Sequence, residues 1–268
     1  MKQHLRMGIT PCPNDTFLAG AMALGQVAAE GLDVDIELAD IEALNHAALR
    51  GEFDVVKISC ALYAHLEADY ALLEVGAAVV DGYGPLVLAR APWDEGTMAG
   101  ARVAAPGRYT TGAALFRLWA PAASALTFDR YDRLMPGLVD GRWDAAVVIH
   151  EARLTYRSLG LHCLIDLGGW WTRTTGLPVA LGCYVMRREL YARHGAALEA
   201  ALREAMRRAA AGEPAIQVWI AQHAQEMNPE VLREYIALYV TPRTWQLDAP
   251  GRAAILNLAR RLRVDAAA

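Results

Sequence analysis

The sequence predicts an α/β protein of two lobes that face each other like the halves of a clamshell. Strands and helices alternate over roughly the first 60 residues, and residues 51–56 resemble residues 141–146. Two extended apolar segments, 85–90 and 177–187, are suited to connect one lobe with the other. Such alternation is typical of parallel sheets with right-handed crossovers, so two similar sets predict two sheets.

The elements of the first lobe follow from local patterns. Apolar residues alternate with polar or small ones over residues 5–10, as in a half-buried strand. Pro11 and Pro13 then force a turn, and Asn14 or Asp15 is a suitable N-cap for the next helix. The following elements are a strand at 34–38, a helix at 41–50 ended by glycine, and a strand at 54–58.

The second lobe is predicted from the internal echo. Gly51–Val56 and Gly141–Ala146 both place glycine at the end of a helical stretch and aspartate before a buried strand. A strand at 102–105, a helix from about residue 111 and a strand at 127–131 complete the same alternation.

The crossovers divide the chain into domains. We expect a larger discontinuous lobe, residues 1–90 plus 182–268, whose C-terminal helices pack back on it. An inserted smaller lobe, residues 91–181, carries the threonine turn and His150. We expect the active site in the cleft between the lobes, because ligands bind at the carboxyl ends of strands in such folds.

Composition excludes several classes of protein. The chain has 268 residues, of which 54% are hydrophobic and 21% charged, which excludes a disordered chain. A net charge of −4 argues against a nucleic-acid partner. No segment resembles a signal peptide or the ~20 apolar residues of a membrane span, so we expect a cytoplasmic protein without a membrane partner. The 4 cysteines lack zinc-site spacing and are expected to be free thiols.

His150 is the leading candidate for a catalytic base. If Asp54 and Asp144 open equivalent strands, these strands end at Ser59 and His150, beside the predicted cleft. A histidine there can accept a proton near neutral pH. The alternative is a structural histidine bonded within the second lobe. A zinc-protease motif is excluded, because Leu154 occupies the position of its second histidine.

A threonine-containing turn is the candidate anion site. Residues 106–112 lie between a strand and a helix, where backbone N–H groups and the hydroxyls of Thr110 and Thr111 could seat a carboxylate. The alternative is N-capping by Thr110 alone. No phosphate-binding or dinucleotide-binding glycine motif is complete, so a nicotinamide site is not supported. The turn predicts a small-molecule substrate with a carboxylate, and we expect no metal, because the other histidines are scattered without ligand spacing.

Other polar residues are placed near the predicted cleft. Lys57 ends an apolar strand, where a buried amine needs a partner; the alternative is an exposed lysine that pairs with a carboxylate. Asn14 and Asp15 follow the first strand and are possible additional cleft residues. Arg153 is another, with a surface or hinge position as its alternative.

The motifs together resemble one family. Residues 10–17, Thr-Pro-Cys-Pro-Asn-Asp-Thr-Phe, resemble the S-P-C-P-N-D-T-F signature of the 1,4-dihydroxy-6-naphthoate synthases. The similarity continues in order over the first two thirds of the chain, at residues 57–59, 84–87, 106–111, 149–156, 166–171 and 175–178, while the C-terminal helices match only in type. The chain departs from the pattern at Thr10, which keeps the hydroxyl of the expected serine, and at Cys60 and Tyr109, which bear on the shape of the pocket.

The resemblance implies a periplasmic-binding-protein-like (type II) clamshell that has become a cytoplasmic lyase. Such an enzyme converts cyclic dehypoxanthine futalosine to 1,4-dihydroxy-6-naphthoate in the futalosine route of menaquinone biosynthesis, and needs no cofactor. His150 matches the proton acceptor of the family. The matching substrate contacts are Lys57, Ile58, Ser59, Thr110 and Thr111.

Two other functions fit the same architecture. Chorismate dehydratase, of the same pathway, shares the fold, but the P-C-P-N-D-T-F turn favours the naphthoate synthase. A non-catalytic cytoplasmic small-molecule binding protein would be favoured if His150 pointed into the core of its lobe. The sequence leaves the oligomeric state open.

Overall fold

The computed structural model describes residues 2–93, 98, 100–121, 126–150, 152–224 and 228–266, without the side chains of 263–266. Its strands are β1 (Gln3–Ile9), β2 (Leu32–Leu38), β3 (Val55–Ser59), β4 (Tyr70–Leu72), β5 (Ala78–Val80), β6 (Leu86–Ala89), β7 (Val103–Ala105), β8 (Thr127–Phe128), β9 (Ala145–Val148), β10 (His162–Asp166) and β11 (Val179–Arg187). The α-helices are α1 (Pro13–Ala23), α2 (Ile41–Leu49), α3 (Tyr63–Leu66), α4 (Thr111–Trp119), α5 (Tyr131–Val139), α6 (Ala152–Thr155), α7 (Leu167–Thr175), α8 (Arg188–Ala210), α9 (Pro214–His223), α10 (Pro229–Tyr239), α11 (Pro242–Trp245) and α12 (Ala249–Ala266). Within these ranges no helix is both long and apolar enough to cross a membrane.

The strands form two sheets, which confirms the predicted α/β class. The first has the order β2-β1-β3-β11-β4, with β5 also paired to β11, and the second has the order β10-β6-β9-β7-β8. Both sheets are mixed, whereas mainly parallel sheets were expected. The reason is that β6 and β11, which follow the crossovers, run antiparallel to the strands beside them.

The similar sequences at residues 51–56 and 141–146 form the same aspartate–backbone hydrogen bond in both sheets. In the first sheet the Asp54 carboxylate accepts a hydrogen bond from the backbone N–H of Arg6, at 2.9 Å. In the second sheet the Asp144 carboxylate accepts one from the backbone N–H of Arg102, also at 2.9 Å. Each aspartate thereby aligns the start of the third strand of its lobe with the first, and β1–β3 and β7–β9 pair in parallel.

The first helix begins earlier than predicted. Cys12 is its N-cap and Pro13 its first residue, whereas Asn14 or Asp15 was expected to cap it. Proline suits the first helical position, because its fixed φ matches the helix and its missing N–H would have no partner there. The side chains of Asn14 and Asp15 consequently turn toward other polar groups instead of capping the helix.

The C-terminal helices pack against β11 of the first sheet and against helices that flank this sheet. Helices α8, α9 and α10 contact α1, and α12 contacts α3 and β11. The strands nearest the predicted boundaries are β6, which belongs to the second sheet, and β11, which belongs to the first. The division into lobes at residues 90/91 and 181/182 itself stays a prediction.

Helix α7 packs against the first crossover through glycine. The chain leaves the first sheet through residues 81–85 and returns through residues 176–178. Gly168, in α7, packs against the first crossover so closely that a Cβ there would lie 2.1 Å from the carbonyl carbon of Tyr83. A Cβ on the neighbouring Gly169 would first meet the flexible end of Arg173, at 3.2 Å.

We expect Gly168→Ala to lower the free energy of unfolding by about 2–3 kcal/mol, because the methyl group overlaps backbone atoms that cannot move aside. Gly169→Ala is the matched control, with an expected change of about 1 kcal/mol or less, since alanine also favours the helix. Urea unfolding followed by circular dichroism measures both. Equal losses in the two variants would contradict this account of the crossover.

Candidate active site

A cavity lies where the carboxyl ends of β1, β3, β7 and β9 meet. The polar residues that line it are Thr10, Cys12, Asn14, Asp15, Lys57, Ser59, Thr110, Thr111, Tyr131, His150, Tyr235 and Tyr239. Both sheets therefore supply polar groups to one cleft.

His150 projects into this cleft directly after β9. Its backbone φ is 63°, a left-handed value that non-glycine residues seldom adopt. Nδ1 lies 2.7 Å from the Tyr235 hydroxyl, and Nε2 lies 4.0 Å from Cys12 Sγ. Tyr235 lies on α10, which packs against α1 and β5, and Cys12 lies in the turn between β1 and α1. The imidazole therefore faces the opposite lobe and not the core of its own lobe.

A buried ion pair lies at the bottom of the cleft. Lys57 Nζ is 2.8 Å from Asp15 Oδ1, and the two side chains are 5% and 2% exposed. Lys57 also donates to the carbonyl of Gly76 at 3.3 Å and lies over the ring of Tyr184. The lysine is thus buried and partnered, which excludes the exposed alternative. Burial, and then the nearby Asp15, raises the pKa of Tyr184 well above its ordinary value, so that phenol stays neutral.

Strand alternation separates the residues predicted on β3. Lys57 and Ser59 line the cavity, whereas Ile58 lies on the opposite face and packs in the hydrophobic core with no exposed surface. The Ile58 side chain therefore does not line the cavity, and the predicted contact of Ile58 with a ligand stays a prediction. Ser59 Oγ accepts a hydrogen bond from buried Asn45 at 3.1 Å, and Asn45 Oδ1 in turn accepts from the Ser59 N–H at 2.9 Å.

The threonine turn lines the cavity, but its hydroxyls are engaged by the protein. Thr110 caps α4 by accepting from the Ala113 N–H at 3.3 Å, and donates to the Gly107 carbonyl at 2.9 Å. Thr111 donates to the Leu181 carbonyl at 2.7 Å. Because a hydroxyl has one hydrogen, the donors left for an anion are the first backbone N–H groups of α4 rather than the side chains.

Glu42, which the sequence analysis did not single out, holds the same turn from the first lobe. Its carboxylate accepts the backbone N–H of Tyr109 at 3.1 Å and an N–H of Asn45 at 3.0 Å. A Cβ on Gly107 would lie 2.5 Å from the Glu42 carboxyl carbon, so glycine is needed for this approach. Glu42 thereby connects α2 with the threonine turn across the cleft.

Arg153 lies beside the first crossover, residues 81–85. It donates to the Gly84 carbonyl at 2.9 Å and to the Asp166 carboxylate at 2.6 Å, and its guanidinium lies over the ring of Tyr83. These contacts join α6 to the first crossover and to the end of β10. Arg153 is not among the residues that line the cavity, and its position in the cleft stays a prediction.

Sequence reasoning missed four polar residues of the cleft, namely Cys12, Tyr131, Tyr235 and Tyr239. Cys12 lies in the motif at residues 10–17, but nothing in the sequence indicated that it would reach His150. Tyr131 begins α5, with its ring centroid 5.4 Å from that of His150. Tyr235, on α10, is 85 residues from its histidine partner in the chain. In the described ranges no three His, Cys, Asp or Glu side chains are grouped so that they could hold a metal ion.

The fold and the cleft define the class of protein. The structure is similar to the periplasmic aliphatic sulphonate binding protein SsuA from Escherichia coli, with a TM-score of 0.66 at 13% identity over 99% of this chain and 88% of that one. It is more similar to the crystal structure of protein AF1704 from Archaeoglobus fulgidus, with a TM-score of 0.91 at 31% identity over 99% and 98%. The chain therefore has the periplasmic-binding-protein fold.

The family follows from sequence comparison. The profile of a family described as menaquinone biosynthesis matches residues 5–263. A 1,4-dihydroxy-6-naphthoate synthase from Streptomyces coelicolor is 41% identical over 96% of this chain and 92% of its own length. Its counterpart from Thermus thermophilus is 39% identical over 96% and 93%. The chain belongs to the menaquinone biosynthesis family.

The buried ion pair gives a test of the site. Lys57→Met leaves the Asp15 carboxylate buried without its cation, and we expect the free energy of unfolding to fall by about 3–5 kcal/mol. Adding Asp15→Asn removes the stranded charge and should recover about 1 kcal/mol or more of that loss. Urea titrations of both variants and of Asp15→Asn alone complete the cycle. Strictly additive losses would show that the two side chains are not coupled.

Proposed function

We propose that the protein is a 1,4-dihydroxy-6-naphthoate synthase, a carbon–carbon/carbon–oxygen lyase of menaquinone biosynthesis that acts on cyclic dehypoxanthine futalosine. Family membership and the activity named for both curated relatives support this. The observation that carries the proposal is the position of His150, which faces the cleft at the carboxyl end of β9. A protein that only bound its ligand would have no use for a base held in a strained backbone conformation.

His150 is proposed to begin the reaction by removing a proton next to a ketone of the substrate. The enolate that forms needs hydrogen-bond donors for its oxygen. Ser59 suits this role, because its oxygen already accepts from Asn45 and its hydroxyl hydrogen can point into the cavity. Lys57 is less suited, since its ammonium is paired with Asp15. Elimination of the sugar-derived fragment then completes an aromatic ring.

The substrate carboxylate is proposed to bind at the N-terminus of α4. The first backbone N–H groups of this helix open on the cavity at Thr111 and Gly112, and the helix dipole favours an anion there. Thr110 sets the geometry of this end by capping the helix. The proposed partner is thus a carboxylate-bearing small molecule, and the proposed location is the cytoplasm, where such intermediates are made.

Replacement of the base is the first test. We expect the purified protein to convert cyclic dehypoxanthine futalosine and His150→Asn to lose about 10²–10⁴-fold in kcat, the usual contribution of a general base. Asparagine is the preferred replacement, because it tolerates the left-handed backbone that alanine would strain. Product formation by chromatography and substrate binding by calorimetry separate catalysis from affinity.

The parent chain decides between functions in the same assay. Turnover of chorismate instead of the futalosine derivative would identify a dehydratase. Binding without conversion of either compound would replace the lyase proposal by a binding protein.

The anion site makes a separate prediction. Thr110→Ala removes the cap and loosens the first turn of α4, so we expect KM to rise about tenfold, or ~1.4 kcal/mol, while kcat changes little. Thr241→Ala is the matched control, because Thr241 is the N-cap residue of α11, outside the cavity lining. An unchanged KM in Thr110→Ala would place the carboxylate elsewhere.

A further inference from the structure

A chain of hydrogen bonds runs from the buried ion pair to the proposed base. Asn14 Nδ2 donates to Asp15 Oδ1 at 3.0 Å, and the Tyr235 hydroxyl donates to Asn14 Oδ1, also at 3.0 Å. The Tyr235 oxygen lies 2.7 Å from His150 Nδ1. Lys57 and the Thr10 hydroxyl hold the other end by binding the Asp15 carboxylate at 2.8 and 2.5 Å.

The direction of this chain is fixed at its acidic end. A carboxylate paired with an ammonium group only accepts hydrogen bonds, so the amide nitrogen of Asn14 must face Asp15. The amide oxygen then faces Tyr235 and accepts its hydroxyl hydrogen. If Tyr235 gave that hydrogen to His150 instead, two acceptor oxygens would face each other at 3.0 Å.

The same logic reaches the imidazole. Since the Tyr235 hydrogen is directed to Asn14, the Tyr235 oxygen can only accept from His150, and Nδ1 must carry a hydrogen. In the neutral ring the lone pair then lies on Nε2, the nitrogen on the side of cavity-lining Cys12. Tyr235 is 2% exposed and Asn14 8% exposed, so water competes little for these bonds.

We propose that Tyr235 and Asn14 are positioning residues that hold His150 in the Nδ1–H tautomer and direct its basic Nε2 into the cleft. This rests on the proposed role of His150 as base. When Nε2 takes a proton, the chain also connects the cationic ring to the Asp15 carboxylate without any further proton transfer. A serine-protease aspartate orients its histidine in a comparable way, here through two intervening side chains.

The chain also joins the two lobes. His150 follows β9 of the second sheet, whereas Lys57 lies on β3 of the first and Tyr235 lies on α10, which packs against α1. The ring is therefore set in its reactive tautomer by groups of the opposite lobe. In this arrangement, the same hydrogen bonds that join the lobes also set the tautomer of His150.

The test combines spectroscopy with kinetics. In protein labelled with ¹⁵N-histidine, two-bond ¹H–¹⁵N spectra distinguish a protonated from an unprotonated ring nitrogen, and His150→Asn identifies the His150 signals. We expect the neutral His150 ring of the parent protein to carry its hydrogen on Nδ1. In Tyr235→Phe and Asn14→Ala we expect a mixture of tautomers, a kcat lower by about 10- to 100-fold, and a KM within about threefold of the parent.

Two comparisons separate positioning from loss of stability. Tyr70→Phe removes another buried tyrosine hydrogen bond, to the Phe53 carbonyl at 2.8 Å, and should leave both the tautomer and kcat unchanged. The double variant Asn14→Ala/Tyr235→Phe should be as active as the less active of the two single variants, because both changes interrupt one chain of hydrogen bonds. If each substitution caused independent structural damage, the two losses of activity would instead multiply.

The proposal is overturned if the His150 ring of the parent protein carries its hydrogen on Nε2, or if either single variant keeps the parent tautomer. Spectra of the parent decide this even if a variant fails to fold or the substrate assignment is wrong. Failure of the proposed function has a different signature, namely no turnover by the parent while the His150 tautomer is as expected.

Discussion

The ion pair between Lys57 and Asp15 is the interaction on which the geometry of the cleft depends. It joins β3 to the first turn of α1 in a place almost without solvent, where neither charge is tolerable alone. This pair fixes the position of the turn after β1 relative to the sheet. Asn14 and Thr10 then bind the same carboxylate, so the polar residues of the motif at 10–17 are arranged around a single buried charge.

The two lobes use equivalent places in one supersecondary unit for different tasks. In the first lobe, the first turn of α1 supplies Asp15 and β3 supplies Lys57, and the two side chains neutralise each other. In the second, the turn after β7 presents the N-terminus of α4, and the end of β9 presents His150. Charge balance in one lobe and the proposed chemistry in the other are combined because both sets of strands end at the same cleft.

What the sequence could predict depended on the range of the interaction. Alternation, the helix-ending glycines and the Asp54/Asp144 echo are local signals, and the two sheets follow from them. The Ile58 side chain does not line the cavity, because a motif names consecutive residues while a strand turns every second side chain away from the site. Tyr235 carries no local mark of its role, since its partner His150 is 85 residues away and the approach depends on the packing of α10 against α1.

A clamshell that binds a ligand already excludes water and orients its guest, so catalysis requires little besides a correctly prepared base. Here the proposed base, His150, has an unfavourable backbone conformation and is hydrogen-bonded to Tyr235 of the other lobe. An imidazole alone on one lobe would exchange tautomers freely, and part of its population would present an N–H to the substrate. The polar chain between the lobes therefore accounts for how a fold shared with transport proteins could acquire a reaction, because it converts contact between lobes into a defined proton acceptor.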